Sequence, residues 1–383
     1  MVIMLVAHLA DTHLGASQYG LEERELDVYE CFREAIDRIL EEHVRIVLHS
    51  GDVFHSPRPP IRALKVFQEE LKRLHSAGVK FYAIPGGHDM LRRRGLTPLV
   101  LFDYLGLVTL SRNQPLIEVD GLCIAGLEYV PATFRNDLLR QLARVEAEAA
   151  KRGGKRVLLL HQALKEAHPL ISELSLSELP KGFHYYAMGH LHHPYIIRRE
   201  GLVAAYPGSI EFLDVQEVVR SGERGFYIVD LSSDEPLLHF IKLESVRPQL
   251  VYEIRYEELE RQKARILAEV RKLNGKRPLV HLRIRGRGVE RGRVEKLLTK
   301  ALANYSLHVR IHLIEEGEGE AVEAIESLSV DELLRSRLRD PSLYSFVRTL
   351  VELLSRGDEE SFKEAVKEAE KVFEGGIWKR WRL

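Results

Sequence analysis

The chain has 383 residues, of which 45% are hydrophobic and 30% are charged, and its formal net charge is −1. This composition is typical of a folded globular protein and excludes a largely disordered chain. The apolar runs are shorter than the roughly 18 residues that a membrane span needs, so we expect no membrane segment and no signal peptide. The two cysteines, Cys31 and Cys123, lie far apart in the sequence and favour a reducing compartment such as the cytoplasm.

Charge is distributed unevenly and divides the chain into three segments. Residues 1–246 and residues 316–383 each carry a net charge of −5. Residues 247–315 contain 17 Lys and Arg against 8 Asp and Glu, a net charge of +9. We therefore predict three domains with these boundaries, which agrees with the length of the chain.

In the first segment, short apolar runs alternate with amphipathic stretches. Residues 23–42 and 61–77 have apolar side chains at helical spacing and predict two helices. The apolar runs predict strands at Val2–Leu9, Val44–His49, Val79–Ile84, Leu122–Leu127, Val157–Leu160, His184–Met188, Val203–Tyr206 and Phe226–Leu231. Strands that alternate with helices indicate an α/β domain, in which reactive side chains collect beyond the carboxyl ends of the strands.

The basic second segment predicts a small α+β domain. Its elements are strand, helix, strand, helix and strand, at Val251–Tyr256, Glu257–Leu273, Leu279–Arg285, Val289–Ala303 and Leu307–Ile314. In the middle strand apolar residues alternate with His281, Arg283 and Arg285, so we expect one buried face and one cationic face, followed by Arg287. The cationic face is either a DNA-binding surface or the solvated side of an ordinary domain.

The third segment begins with an acidic connector, residues 315–326, and then becomes helical. Asp340-Pro341 has the pattern of a helix cap followed by a first-turn proline. Apolar stripes that start at Leu343 and Phe362 predict two helices in a hairpin. The stripes could pack on their own domain, but the acidic connector favours an appended element that binds another protein.

Acidic residues and histidines follow five of the predicted strands. Residues i and i+2 of an extended segment point to the same side, so an Asp-x-His motif can place both side chains on one metal ion. Each motif alone has an ordinary explanation as turn or hydrogen-bond chemistry. Together they indicate a metal centre. The motifs are Asp11-Thr-His13, Ser50-Gly-Asp52, Gly86-Gly-His-Asp89, His161 and Gly189-His-Leu-His192.

This series of motifs resembles that of the calcineurin-like metallophosphoesterases. More narrowly, it resembles the DNA double-strand-break repair nucleases called SbcD in bacteria and meiotic recombination eleven in eukaryotes and archaea. The narrower resemblance depends on His8-Leu-Ala-Asp-Thr-His-Leu-Gly15, Gly51-Asp-Val-Phe-His-Ser-Pro-Arg-Pro59, Leu179-Pro-Lys-Gly-Phe183, Tyr185-Tyr-Ala-Met-Gly-His-Leu-His192 and Tyr206-Pro-Gly-Ser209. It implies an α/β fold, a four-layer αββα sandwich, followed by a small capping domain and a C-terminal helical hairpin.

The same resemblance implies two Mn²⁺ ions per subunit. The first ion would be held by Asp11, His13 and His192, and the second by His161 and His190, with Asp52 as the bridge. A ligand set of oxygen and nitrogen atoms suits Mn²⁺, although it also allows Mg²⁺, Fe or Zn²⁺.

The resemblance also implies roles for two further histidines, and the chain departs from the family pattern at one position. His88 would be the catalytic histidine that protonates or stabilises the leaving oxygen, and His55 would lie near the DNA path. The family usually has Gly-Asn-His-Asp, in which the asparagine oxygen binds the second ion. This chain has Gly87 at that position, so we expect the second ion to bind more weakly.

The resemblance implies an exonuclease and endonuclease that acts on DNA ends, with Arg283, Arg285 and Arg287 as candidate DNA contacts. It further implies a nucleoid-associated homodimer, formed through helices such as 61–77 and 96–105. The implied partner is an SMC-like coiled-coil ABC ATPase that binds residues 328–383. Two alternatives stay open: a small-molecule phosphodiesterase with the same metal site, and a DNA-binding scaffold whose metal site is impaired at Gly87.

Overall fold

The computed structural model describes residues 4–90, 96–169, 171–199, 201–220, 222–273, 275–315, 338, 340–355 and 359–375. The chain forms two compact units. The first unit consists of residues 1–131 and 137–247, and the second of residues 132–136 and 248–383. The main boundary therefore lies one residue from the one expected after residue 246, and the assignment of three functional domains stays a prediction.

The first unit contains two six-stranded sheets. In chain order the strands are β1 (Leu5–Leu9), β2 (Ile46–His49), β3 (Lys80–Ala83), β4 (Leu107–Thr109), β5 (Leu116–Val119), β6 (Leu122–Leu127), β7 (Lys155–His161), β8 (Tyr185–Gly189), β9 (Tyr195–Arg199), β10 (Leu202–Tyr206), β11 (Gly225–Asp230) and β12 (Leu237–Lys242). The first sheet has the order β12-β11-β1-β2-β3-β4 and the second β5-β6-β7-β8-β10-β9. Strands β1 to β4 are parallel to one another, as are β6, β7, β8 and β10.

Helices cover the outer faces of both sheets. Helices α1 (Glu22–Glu41) and α2 (Ile61–Ser76) pack on the first sheet, α3 (Arg135–Ala149) packs on the second, and the short α4 (Val215–Arg220) follows β10. Alternate strand residues face opposite sides, so Ala7 of β1 meets the helices while Val6 enters a core shared by the two sheets. This order of layers is αββα and confirms the predicted fold.

All eight strands expected in this segment are present, although residues 1–3 at the start of the first lie outside the described residues. The strands that sequence reasoning missed are β4, β5, β9 and β12. Each of them is an edge strand. Edge strands are partly exposed and short, so they lack the continuous apolar run that marks a buried strand. Helix α3 was also missed.

The second unit contains a three-stranded sheet with two helices. Its elements are β13 (Gln249–Arg255), α5 (Leu259–Lys272), β14 (Leu279–Gly286), α6 (Arg291–Leu302) and β15 (His308–Glu315). All three strands are parallel, with β14 in the centre. The predicted order of elements is confirmed, but the α+β assignment is corrected to α/β, because parallel neighbouring strands joined by crossover helices form a βαβαβ arrangement.

The expected cationic face of β14 also needs correction. His281 is buried, and its Nε2 lies 2.8 Å from Oε1 of Gln249. Arg283 and Arg285 are only partly exposed, and Arg283 forms an ion pair of 3.4 Å with Glu253. The positively charged surface on β14 is thus smaller than the alternation of apolar and basic residues in its sequence predicts.

Two helices follow, α7 (Pro341–Ser355) and α8 (Glu359–Glu374), and they pack against each other. Oδ1 of Asp340 accepts the backbone N–H of Leu343 at 3.1 Å, which confirms the predicted cap. The predicted acidic connector after residue 315, residues 356–358 and residues 376–383 lie outside the described residues. Within the described part of the chain, no helix combines the length and the apolar character that crossing a membrane requires.

Candidate metal centre

The loops that carry the predicted ligands meet at one edge of the two sheets in the first unit. The backbone N–H of Asp11 donates to the carbonyl of Gly51 at 3.0 Å, and that of His13 donates to the carbonyl of Asp52 at 3.0 Å. The N–H of His190, after β8, donates to the Asp11 carboxylate at 3.1 Å. These bonds join the ends of β1 and β2 in one sheet to the end of β8 in the other.

Two groups of donor atoms form there, each with its atoms within 4.8 Å of one another. The first contains Asp11, His13 and His192, the set expected for the first ion. Its closest atoms are Nε2 of His13 and Nε2 of His192, 3.1 Å apart. The second contains Asp11, Asp52 and His161. Asp11 belongs to both groups. Asp52 lies between them, since its Oδ2 is 3.2 Å from Nε2 of His161 and 3.7 Å from Nε2 of His13.

His190 lies beside these groups rather than within one of them. Its ring centroid is 5.1 Å from that of His161. Its Nε2 is 3.6 Å from Oε1 of Glu173, a buried carboxylate that sequence reasoning missed. Among the described residues, His190 is not part of a set of three donors within 4.8 Å.

The residues present fit divalent metal ions. Nδ1 of His161 lies 2.7 Å from the carbonyl of Ser50, so Nδ1 carries a hydrogen and Nε2 is the ring atom left to bind an ion. That Nε2 is buried and has no well-directed hydrogen bond in the part of the chain that the structure describes. A buried polar atom without such a bond costs free energy unless a ligand contacts it. Carboxylate and imidazole donors around it are the ligand types of Mn²⁺, Zn²⁺ and Fe²⁺.

The protonation states differ among the predicted ligands. Burial lowers the pKa of His13 and lowers that of His190 to about 3, so both imidazoles are neutral at pH 7, as metal ligands must be. Burial also opposes protonation of His161, but the Asp52 carboxylate outweighs it and raises the pKa of His161 to about 10, so a bound ion would replace a proton there. Burial raises the pKa of Asp11 to about 7. Burial also opposes the ionisation of Asp52, but the neighbouring His161 outweighs it and lowers the pKa of Asp52. A bound cation would stabilise both carboxylates in their charged form.

Four of the predicted ligand residues have an unusual backbone conformation. Their φ angles are positive: Asp11 (51°), His13 (44°), Asp52 (55°) and His190 (88°). A non-glycine residue in this region costs about 1–3 kcal/mol and persists only where the surroundings impose it. Such residues concentrate at functional sites, so the strain is a second sign that these turns are built for ligand geometry.

The glycines in the motifs allow the loops to approach closely. Gly51 has a φ of 91°, and a Cβ there would lie 2.5 Å from Nδ1 of His161. A Cβ on Gly189 would lie 2.0 Å from the carbonyl oxygen of Ser50. Any side chain at either position would separate the loops that hold the ligands.

His88 and His55 border the same site. The backbone N–H of His88 donates to Oδ1 of Asp52 at 2.8 Å, and its exposed ring lies 4.8 Å from that of His13 between centroids. Nδ1 of His88 is 3.0 Å from the carbonyl of His55, and Nδ1 of His55 is 3.3 Å from Nδ1 of His13. The three histidines form a further group of donors within 4.8 Å. A Cβ on Gly87 would meet only the ring of Tyr129, at an ordinary contact distance of 3.4 Å.

Asp89 has a structural role. It is buried, and its carboxylate accepts the backbone N–H groups of Val53, Phe54 and Gly86 at 2.9–3.1 Å. These bonds fasten the His88 loop to the loop after β2. The sequence pattern did not reveal this role.

One residue that contacts a predicted ligand was missed, and three predicted residues lie elsewhere in the chain. Glu217, on α4, contacts His192 and was missed because it follows no strand and belongs to no motif. The three predicted DNA contacts lie in the second unit, on β14 and directly after it: Arg283, Arg285 and Arg287.

Comparison with known proteins assigns the chain to a family. Residues 4–234 match the calcineurin-like phosphoesterase superfamily domain. The DNA double-strand break repair protein Mre11 of Saccharolobus solfataricus is 31% identical over 85% of this chain and 84% of that protein. The protein of the same name from Methanococcus maripaludis is 30% identical over 94% of this chain and 97% of that protein. A dimetal phosphatase of Danio rerio has a TM-score of 0.42 and 12% identity, over 63% of this chain and 96% of that one. The chain therefore belongs to the calcineurin-like phosphoesterase superfamily and, within it, to the family of the DNA double-strand break repair protein Mre11.

Proposed function

We propose that this chain is a Mn²⁺-dependent DNA nuclease that acts on DNA ends during double-strand break repair. The observation that carries the proposal is the convergence of Asp11, His13, Asp52, His161 and His192 at one edge of a phosphoesterase fold. The names of the relatives support DNA as the substrate. The reaction is phosphodiester hydrolysis.

The donor groups support part of the ligand assignment. Asp11, His13 and His192 would hold the first ion, and His161 the second, with Asp52 shared. We assign His190 to the second ion as well, since its ring lies 5.1 Å from that of His161. When bound, two divalent ions neutralise charge on the phosphodiester and activate water. Because Gly87 offers no side-chain oxygen, the second ion would bind more weakly than the first.

His88 is suited to act as the general acid. In the protonated imidazole, Nδ1–H would donate to the carbonyl of His55, and Nε2–H would give its proton to the leaving oxygen. The bond from its backbone N–H to Asp52 keeps the loop beside the donor groups. The ring is exposed, as a residue that contacts a polymeric substrate must be. His55, which contacts both His13 and His88, would help to orient them.

The second unit would supply much of the affinity for DNA. Residues 247–315 carry a net charge of +9, and Arg283, Arg285 and Arg287 follow one another along β14 and its turn. Cations that neutralise phosphates release counterions, so binding would weaken as salt increases.

Two apolar surfaces fit the partners that the family implies. On α8, Phe362 and Phe373 are 53% and 63% exposed, while Ala365 and Val372 are buried. We infer that this exposed face, within residues 328–383, binds the coiled coil of an SMC-like ABC ATPase. In the first unit, Ile61 of α2 is 84% exposed, and Leu101 and Tyr104 of the 3₁₀ helix Pro98–Leu105 are also exposed, so this surface would form a homodimer.

One pair of assays tests the proposal. The purified protein is incubated with end-labelled double-stranded and single-stranded DNA, and in parallel with an aryl phosphodiester, with and without Mn²⁺. Mn²⁺-dependent DNA cleavage, abolished by Asp52→Asn, is the expected result. Hydrolysis of the aryl ester alone would favour a small-molecule phosphodiesterase. DNA binding without cleavage in excess Mn²⁺ would favour a scaffold with an impaired metal site.

A further inference from the structure

We propose that Glu217 and Arg224 hold His192 in the orientation in which its Nε2 binds the first ion. With Ser209 these residues form what we call the His192 clamp. The clamp acts on the ligand and does not touch the substrate, so Glu217 is a positioning residue. This inference rests on the proposed metal centre.

The contact between Glu217 and His192 sets the state of the imidazole. Nδ1 of His192 lies 2.7 Å from Oε1 of Glu217. A carboxylate can only accept, so Nδ1 carries the hydrogen and Nε2 has a free lone pair. That Nε2 lies 3.1 Å from Nε2 of His13 and 3.8 Å from Oδ1 of Asp11, among the donors of the first group. A carboxylate behind a metal-binding histidine fixes the tautomer and ring direction and makes the imidazole a stronger ligand.

Glu217 is itself held by three donors. Its Oε2 accepts from Nη2 of Arg224 at 3.0 Å, from the backbone N–H of Leu213 at 3.2 Å and from Oγ of Ser209 at 3.3 Å. Arg224 is 2% exposed and also donates from Nη1 to the carbonyl of His192. One buried cation therefore contacts both the positioning carboxylate and the backbone of the ligand.

The motif Tyr206-Pro-Gly-Ser209 supports the same arrangement. Gly208 has a φ of 80°, and a Cβ there would lie 3.0 Å from the carbonyl oxygen of His192. The backbone N–H of Ser209 donates to that carbonyl at 3.2 Å. The hydroxyl of Tyr206 donates to the carbonyl of Gln162, next to His161, at 3.0 Å. This turn therefore braces the loops of two ligands, which gives a physical reason for a motif that contains no ligand.

The same contacts argue against Glu217 as a direct ligand. Both of its oxygens are occupied, one by His192 and the other by the three donors described above. Glu173, which is near His190, differs because its closest oxygen is 3.6 Å from Nε2 of that residue, beyond a hydrogen bond. Among the histidines assigned to the second ion, His161 is instead oriented by the carbonyl of Ser50 at 2.7 Å, so the clamp differs from that contact in using a carboxylate.

The test compares Glu217→Gln and Glu217→Ala with a matched control, Glu223→Gln. Glu223 is exposed, pairs with Lys242 at 3.3 Å, and belongs to the same region without contacting His192. Mn²⁺ affinity is measured by titration calorimetry on each full-length protein. The melting temperature is measured without metal and with Mn²⁺, because a ligand that binds the folded state raises it by an amount that grows with the logarithm of its affinity.

We expect Glu217→Ala to weaken one Mn²⁺ site by about 10- to 100-fold, as is typical when a partner of a metal-binding histidine is lost. Glu217→Gln keeps an acceptor for Nδ1–H and should fall between Ala and wild type, and Glu223→Gln should match wild type. In both Glu217 variants the rise in melting temperature caused by Mn²⁺ should shrink, and excess Mn²⁺ should restore DNA cleavage.

Wild-type Mn²⁺ affinity in both Glu217 variants would overturn the inference. A lower metal-free melting temperature with an unchanged Mn²⁺-induced rise would also overturn it, because it would show a purely structural role. If Glu217→Ala fails to fold, the nearly isosteric Glu217→Gln decides between these outcomes. A wild-type protein that binds no Mn²⁺ would instead contradict the proposed function.

Discussion

A buried histidine beneath the metal centre makes the stability of the first unit depend on pH. His8 of β1 is fully buried; its Nδ1 is 2.7 Å from the hydroxyl of Tyr185, and its Nε2 is 3.0 Å from Oγ of Ser50. Burial, reinforced by His49, lowers the pKa of His8 to about 3. In the unfolded chain the pKa of a histidine is about 6.5.

The sign and size of the effect follow from these two values. Above pH 6.5 His8 is neutral in both states, so its protonation does not affect stability. As the pH falls below 6.5 the unfolded state gains a proton that the folded state does not bind, and stability decreases until the pH approaches 3. At pH 5 the loss is about 2 kcal/mol, from 1.5 pH units at about 1.4 kcal/mol per unit.

The substitution His8→Gln tests this reasoning. Glutamine can both donate and accept but does not titrate, so the variant should lose less stability on acidification. Both proteins should lose unfolding free energy between pH 7.5 and pH 5, and the loss should be about 2 kcal/mol smaller in the variant than in wild type. The assay is guanidinium unfolding of the metal-free protein at both pH values, with exposed His239→Gln as the control. An equal loss of stability in wild type and His8→Gln would refute the argument.

Three further predictions concern DNA cleavage, DNA binding and metal binding. His88→Ala should keep Mn²⁺ and DNA binding but reduce cleavage by about 10²- to 10⁴-fold, the usual contribution of a general acid; wild-type rates on end-labelled DNA would remove His88 from the mechanism. Replacing Arg283, Arg285 and Arg287 by Ala should reduce the slope of log affinity against log salt concentration, and an unchanged slope would indicate an ordinary solvated face. Gly87→Asn should raise the affinity of the second Mn²⁺ site in calorimetry, since it adds a side-chain oxygen and its Cβ would meet Tyr129 only at an ordinary contact distance; two equally tight sites in the wild type would contradict this.

The sequence predicted those parts of the site that depend on strand ends. Asp11 and Asp52 follow β1 and β2, which are parallel neighbours in the first sheet, and His161 ends β7 in the second sheet. Parallel strands of one sheet end at the same edge, so the fold class predicts that Asp11 and Asp52 converge. The approach of His161 depends in addition on how the two sheets pack. The role of Glu217 could not be predicted, because it depends on how the segment after β10 folds back on His192, a contact across 25 residues with no periodic signal.

The strands show the same contrast. Central strands such as β2 and β7 are buried on both faces and appear in the sequence as continuous apolar runs. The edge strand β9 has only one buried residue, Ile197, so its sequence resembles that of a loop. In the second unit the element order was predicted but the strand direction was not, because helices of this length can connect either parallel or antiparallel neighbours.

The positive φ angles of Asp11, His13, Asp52 and His190 connect the fold to the chemistry. At about 1–3 kcal/mol each, their combined cost is comparable to the whole stability of a typical domain. The backbone bonds from Asp11 to Gly51 and from His13 to Asp52 hold this geometry through protein contacts alone. These bonds brace the loops that carry the donor atoms, so the proposed ions would need little binding energy to bend the loops into place.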